Sequence, residues 1–343
     1  MPPVSNVSSS RASTRRSRTA VEWPTCGLLA LVYFGWLAAV VLHAAVPVWL
    51  LLPVLVFLTT LHASLQHEAL HGHPTRHAPT NEILAGLPLG LYIPYRRFKR
   101  LHLRHHCNEN LTDPYDDPES FYLARADWSQ LTGALRFALR VNNTLLGRLI
   151  IGPALALAAF YRKEWARLHR RCGQARRVLA AWALHFAGVA VVVALLVYSG
   201  FPVWLYGLGV AYPAMSLLML RTYAEHQAAE TADARSVMIE ASPFFALLFL
   251  NNNLHFVHHK FPNAPWYRLP ALYRSGFAGA SEEDHYYRIS GYGTLFRRYL
   301  LSPKESVPHP YRRTAEDVHY AVPRAGGSGQ NRPAFALGGN NSD

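Results

Sequence analysis

The chain has 343 residues, half of them hydrophobic, and its 34 Lys and Arg against 21 Asp and Glu give a formal net charge of +13. Such a surplus can serve nucleic-acid binding, but no DNA- or RNA-binding motif is present, and the basic residues flank long apolar runs, where they anchor a protein against anionic lipid. The three cysteines, Cys26, Cys107 and Cys172, have no paired spacing, which excludes a disulfide framework and a zinc ribbon.

Residues 1–22, rich in Ser and Arg, read as a disordered basic leader. The apolar run after it is too long for a cleaved secretory signal and a second follows at once, so the first helix is read as retained. Spans are predicted at about 26–45, 47–66, 178–199 and 201–221. Each has about 20 residues, the length of helix that crosses a hydrocarbon core of roughly 30 Å. They pair as two hairpins whose turns, near Ala45-Val46-Pro47 and Ser199-Gly200-Phe201, carry no charge. Arg11, Arg15, Arg16 and Arg18 precede the first span, and arginine is abundant between the hairpins and after the fourth. The positive-inside rule therefore places both termini and the central region in the cytoplasm. The apolar pieces 83–93 and 242–250 are too short to span and read as interfacial or re-entrant helices. Residues 131–160, with Arg136, Arg140 and Arg148 among apolar runs, read as a helix lying in the interface. One domain is predicted over 23–305, followed by a loose tail, 306–343. The fold class is an all-α integral membrane protein: four spans as a stem under a cytoplasmic helical cap.

The cap carries the histidines. They fall into His67-Glu68-Ala69-Leu70-His71, His102-Leu103-Arg104-His105-His106 and His255-Phe256-Val257-His258-His259, with a lone His226 after Glu225. Steps of three and four residues return to one helix face, and all four groups fall on the side assigned to the cytoplasm. Imidazoles with almost no thiols nearby suit iron, zinc or copper, not an iron–sulfur cluster. The second ring nitrogens need partners, for which Glu68, Glu225, Asp113, Asp116 and Asp117 are candidates. The first box is also a literal His-Glu-x-x-His, the zinc-protease motif, but that reading leaves seven clustered histidines unused. A haem carrier would need paired histidines on facing spans, for which His62 and His185 are the available pair. His73, His77, His169, His285, His309 and His319 read as ordinary polar residues, with His73 close enough to the first box to stay open.

The boxes together, the lone histidine, Tyr95-Arg96 before the second box, Asp113 to Ser120 after it and His259 to Pro270 after the third resemble the integral-membrane fatty acid desaturase and hydroxylase superfamily, over about residues 50 to 275. A bacterial fatty acid desaturase-like member fits best. The resemblance implies a di-iron site held by His67, His71, His102, His105, His106, His226, His255, His258 and His259, with O2 as co-substrate and a lipid chain as substrate. It also implies a bacterial inner-membrane location. Some acyl-CoA desaturases have asparagine four residues before the lone histidine; Thr222 stands there. Tyr223-Ala224-Glu225-His226 is similar to the alkane hydroxylases and the run 265–270 to carotenoid ketolases, so hydroxylation or ketolation is the alternative to desaturation. The chain has no Gly-x-Gly-x-x-Gly, four-cysteine or His-Pro-Gly-Gly segment. Electrons are therefore expected from a separate ferredoxin, rubredoxin or cytochrome docking on the basic cap near residues 96–100.

Overall fold

A computed structural model describes residues 21–108, 110–169, 175–279 and 286–311. Most of the expected leader, most of the expected tail, Cys172, His285 and His319 lie outside the described residues. The chain opens with α1 (Trp23–Val41) and α2 (Val48–Leu70), then α3 (Ala78–Ala85), α4 (Tyr95–His106), α5 (Arg125–Gln130), α6 (Gly133–Asn142), α7 (Leu145–Ile150) and α8 (Gly152–His169). It continues with α9 (Ala175–Tyr198), α10 (Val203–Tyr206), a π-helical turn at Gly207–Ala211 and α11 (Tyr212–Glu225). After these come β1 (Val237–Ile239), α12 (Pro243–Leu248), α13 (His255–Lys260), α14 (Leu269–Gly276), β2 (Tyr287–Ile289) and α15 (Tyr292–Tyr299).

Among the described residues, four helices are long and apolar enough to cross a membrane: Trp23–Val41, Val48–Leu70, Ala175–Tyr198 and Val203–Glu225. The second and fourth reach four residues beyond the predicted ends, because the histidine-bearing turns extend the same helices. Their outward faces expose Phe34, Trp49, Phe186 and Leu208, as lipid-facing surfaces do. The two uncharged hairpin turns meet at one end of the stem, where the rings of His43 and Phe201 lie 5.3 Å apart. At the other end, Glu22 just before α1 receives the Nδ1–H of buried His73 at 2.8 Å. Glu22, expected at the end of the leader, is held in the fold: a buried imidazole needs a hydrogen-bond partner, and Glu22 supplies it.

Between α3 and α4 the backbone runs irregularly into the bundle, where bare carbonyls would be costly. They are not bare. Tyr206 donates its hydroxyl to the Leu89 carbonyl and His185 its Nε2–H to that of Leu91, both at 2.8 Å. Trp36 Nε1–H in turn donates to the Tyr206 oxygen at 2.8 Å, and Tyr92 caps the Gly207 carbonyl in the π turn at 2.7 Å. Gly188 permits this approach, since a Cβ there would sit 2.7 Å from Pro88 Cδ. His62 lies 2.9 Å from the Tyr33 hydroxyl. His62 and His185 are thus engaged separately, with no haem-like pairing.

Two features of the cap depart from the sequence reading. A two-stranded parallel sheet adds to the helices, pairing Val237 with Tyr287, Met238 with Arg288 and Ile239 with Ile289. Strands of three residues are too short to show a two-residue alternation. Residues 306–311, expected in the loose tail, are bound to the cap. The Leu123 N–H donates to the Val307 carbonyl at 3.0 Å, that of His309 to the Leu123 carbonyl at 2.9 Å, and His309 is buried. Residues 306–311 are polar and proline-rich in sequence, so their order comes from the cap beneath them.

Candidate metal centre

Four segments carry the histidines to one place. His67 lies in the last turn of α2 and His71 caps its end; α4 carries His102, His105 and His106; α13 carries His255, His258 and His259. The fourth, α11, stops at Glu225, and His226 leaves it in an extended conformation, φ −130° and ψ 152°. Nine imidazoles form two groups: His67, His71, His102, His106 and His258 in one, and His105, His226, His255 and His259 in the other.

Each His-x-x-His-His box is divided between the groups. Its outer pair, four residues apart, stays together, and its middle histidine crosses to the other group. The geometry of a helix requires this: at about 100° per residue, a step of four returns within about 40° and a step of three misses by about 60° in the opposite sense. The second box sends two rings to the five-histidine group and one to the other, and the third box does the reverse. The groups touch where the His106 and His259 rings stack, centroids 4.1 Å apart.

The nitrogens that face inward are Nε2. In the first group the separations are 2.9 Å for His67–His102, 3.0 Å for His102–His106 and 3.1 Å for His106–His258. Among the described residues, the buried Nε2 of His71 has no hydrogen-bond partner. In the second group, His105–His226, His226–His255 and His255–His259 are all 3.0 Å. The Nδ1 atoms face acceptors: His105 donates to Asp117 at 2.8 Å, His102 to Glu119 at 3.0 and 3.1 Å, and His226 to the Arg235 carbonyl at 3.2 Å. His255 donates to Asn252 Oδ1 at 3.1 Å, with Glu225 3.5 Å away. A neutral ring with its proton on Nδ1 presents a bare lone pair at Nε2. His105 and His226 therefore aim two lone pairs at each other across 3.0 Å, an arrangement that repels unless a cation sits between them. Two nitrogens each about 2.1 Å from one ion and at right angles would lie about 3.0 Å apart, so these spacings fit imidazoles that would share a metal ion. The residues fit two imidazole-ligated ions.

Electrostatics favours the neutral form of six rings outside the spans, as ligation requires. Burial, reinforced by neighbouring imidazoles, holds His71 down to about 2 and His226 down to about 3. The same causes press His106, His255, His258 and His259 far below the ordinary histidine value. His105 departs upward: burial lowers it, but the carboxylates of Asp117, Glu119 and Glu225 together outweigh burial. Asp117 and Glu119 are correspondingly depressed, burial being overcome by the imidazoles they receive.

Of the carboxylates expected beside the rings, Asp117 and Glu225 are placed against histidines. Asp113 receives the amides of Tyr115 and Asp116, and Asp116 receives Asn110 Nδ2 at 3.3 Å. Both shape the loop that delivers Asp117. Glu68 receives the Trp266 N–H at 3.0 Å, while its neighbours His67 and His71 join three further histidines. That placement does not fit the protease reading of the first box. Thr222 is half-buried on α11, one turn before His226. Sequence reasoning missed Glu119 and Asn252. Glu119 sits two residues beyond Asp117 in the same acidic run, and Asn252 lies three residues before His255.

The model of the fatty acid desaturase family matches residues 43–291, which include all nine histidines. No curated protein matches the chain.

Proposed function

Because this chain belongs to the fatty acid desaturase family and is therefore an oxidoreductase of the desaturase type, we propose that it uses O2 and two external electrons to desaturate a fatty-acyl chain of a membrane lipid. The observation that carries this reading is the pair of Nε2 clusters at 2.9–3.1 Å. The five-histidine group would hold one iron and the four-histidine group the other. Bound iron would supply the redox change needed to activate O2 towards an unactivated C–H bond.

The protein's own contribution is positional. Asp117, Glu119, Asn252 and the Arg235 carbonyl hold the protons on Nδ1, so every supported ring offers Nε2. Deep burial of His67, His105, His255 and His258 excludes water from the inner side of the site. The two stem helices that end at Leu70 and Glu225 bring the site to the end of the bundle, within reach of a chain lying among the spans.

We place that end in the cytoplasm, where a separate acidic electron carrier would meet the basic cap. Within 96–100 the docking charge falls to Arg100, which is exposed, and Lys99. Arg97 is buried on Glu164 and Arg96 is paired with Glu82. The test is mass spectrometry of lipids after incubation with O2, a ferredoxin-type carrier and its reductase. Loss of two hydrogens supports the reading, and gain of one oxygen replaces it with hydroxylation. Turnover by the pure protein with a nicotinamide cofactor alone would remove the separate carrier.

A further inference from the structure

We propose that the segment 303–309 is a strap that positions the four-histidine group, with Lys304 and His309 as its two positioning residues; this rests on the two-metal reading above. Nothing in the local sequence marks the segment, which lies 78 residues beyond His226 and nearly 200 beyond the second box.

The first path begins where α11 ends. The last carbonyls of a helix lose their intrahelical partners, and here the residue that leaves the helix is the ligand His226. The Lys304 ammonium donates to the His226 carbonyl at 2.7 Å and to that of Tyr223 at 3.1 Å. A cation also suits the negative end of a helix dipole. The ammonium is buried, paired with Glu305 at 3.0 Å, and lies 5.6 and 5.8 Å from the ring centroids of Phe121 and Tyr223. Glu305 receives the Tyr122 hydroxyl, whose oxygen in turn receives the Ala228 N–H at 2.7 Å. The residues on either side of His226 are therefore tied to the strap.

The second path reaches His105. Tyr311 N–H donates to His309 Nδ1 at 3.2 Å, which leaves the ring proton on Nε2 to be donated to Thr112 Oγ1 at 3.1 Å. Thr112 N–H donates to Asp117 Oδ2 at 2.9 Å, and Asp117 Oδ1 receives His105 Nδ1–H at 2.8 Å. Thr112 has φ +72°, a left-handed conformation that is strained for a β-branched residue. Its amide, hydroxyl and carbonyl are all bound, the last by Ser120 Oγ at 2.7 Å. Surroundings that over-determine a strained residue in this way mark a pre-organised support. Both paths end on the four-histidine group.

The experiment uses the full chain in detergent, stripped with chelator and titrated anaerobically with Fe(II) alone. Wild type should take two equivalents. Lys304→Met should keep one at wild-type affinity and bind the second about 10–100-fold more weakly, the loss typical when a supporting partner of a ligand is removed. Lys304→Arg should recover part of the loss, and His309→Ala should reproduce it. In the metal-free protein, amide hydrogen exchange at Gln227 and Ala228 should quicken in Lys304→Met while that of residues 102–106 stays unchanged. Two equivalents at wild-type affinity in Lys304→Met, or equal weakening of both, would overturn the strap. Failure of wild type to take two equivalents would overturn the two-metal reading; the exchange at 227–228 then decides the strap by itself, unchanged rates refuting it.

Discussion

Replacing Glu164 with alanine should destabilise the protein more than any single change on the surface of the cap. The carboxylate receives Arg97 Nε at 2.7 Å and Nη2 at 2.8 Å, Arg167 Nη1 at 2.7 Å and Trp182 Nε1 at 3.3 Å. It therefore ties α4, which carries three of the histidines, to α8 and α9. Arg97 is only 4% exposed, so alanine would strand a buried guanidinium, at a cost of about 3–5 kcal/mol. Arg167 is 30% exposed; it would return to water and add little. At about 2–4 °C per kcal/mol for a large domain, the melting temperature should fall by roughly 6–20 °C. The assay is thermal unfolding in detergent, followed by size-exclusion recovery after heating. Adding Arg97→Met to Glu164→Leu should restore most of the loss, because removing both charges leaves none uncompensated. Burial raises the Glu164 carboxyl, but Arg97 more than offsets this and holds it below the usual carboxylate range. Its contribution is thus fully present above the unfolded value near 4.3 and is lost as pH falls through the folded one. The stability gap between wild type and Glu164→Gln should accordingly be open at pH 7 and narrow below about pH 4.3. A Glu164→Ala variant melting within about 2 °C of wild type, or a double variant as unstable as the single, would refute the reasoning.

Asp117 accepts three N–H groups, and the single oxygen of Asp117→Asn can satisfy only its Oδ1 pair. Metal at the four-histidine group should weaken about 10–100-fold, whereas Glu119→Gln should act on the five-histidine group; equilibrium dialysis of each variant checks both. Tyr206→Phe leaves the Leu89 carbonyl and the Trp36 N–H unsatisfied inside the bundle, a loss of about 2–5 kcal/mol. His185→Ala frees one carbonyl and should cost about 1–3 kcal/mol, so the ordering of the two melting temperatures tests the account of residues 86–94. In a cysteine-free background, thiols introduced at residues 46 and 200 should react with an impermeant reagent from the face opposite to those at 10 and 300, and labelling of all four from one side would end the two-hairpin topology.

The stem was legible in the sequence because its causes are local. Runs of about 20 apolar residues need no partner to be recognised as spans, and the uncharged turns at 46 and 200 bound them. The nine histidines were legible for the same reason: a four-residue step stays on one helix face wherever the helix goes. Which group each ring joins was not, because that depends on how α2, α4, α11 and α13 cross. The His106–His258 contact spans 152 residues and the His67–His102 contact 35, and only the packed helices bring them to about 3 Å. The partners of the rings show the same division. Asp113, Asp116 and Asp117 look alike in an acidic loop, yet the left-handed turn at Thr112 aims only Asp117 at His105. Lys304 and His309 carried no local signal at all. Their roles exist because the tertiary fold lays a proline-rich segment across the end of α11, where orphaned carbonyls require a donor, and against Thr112 in the loop that holds Asp117.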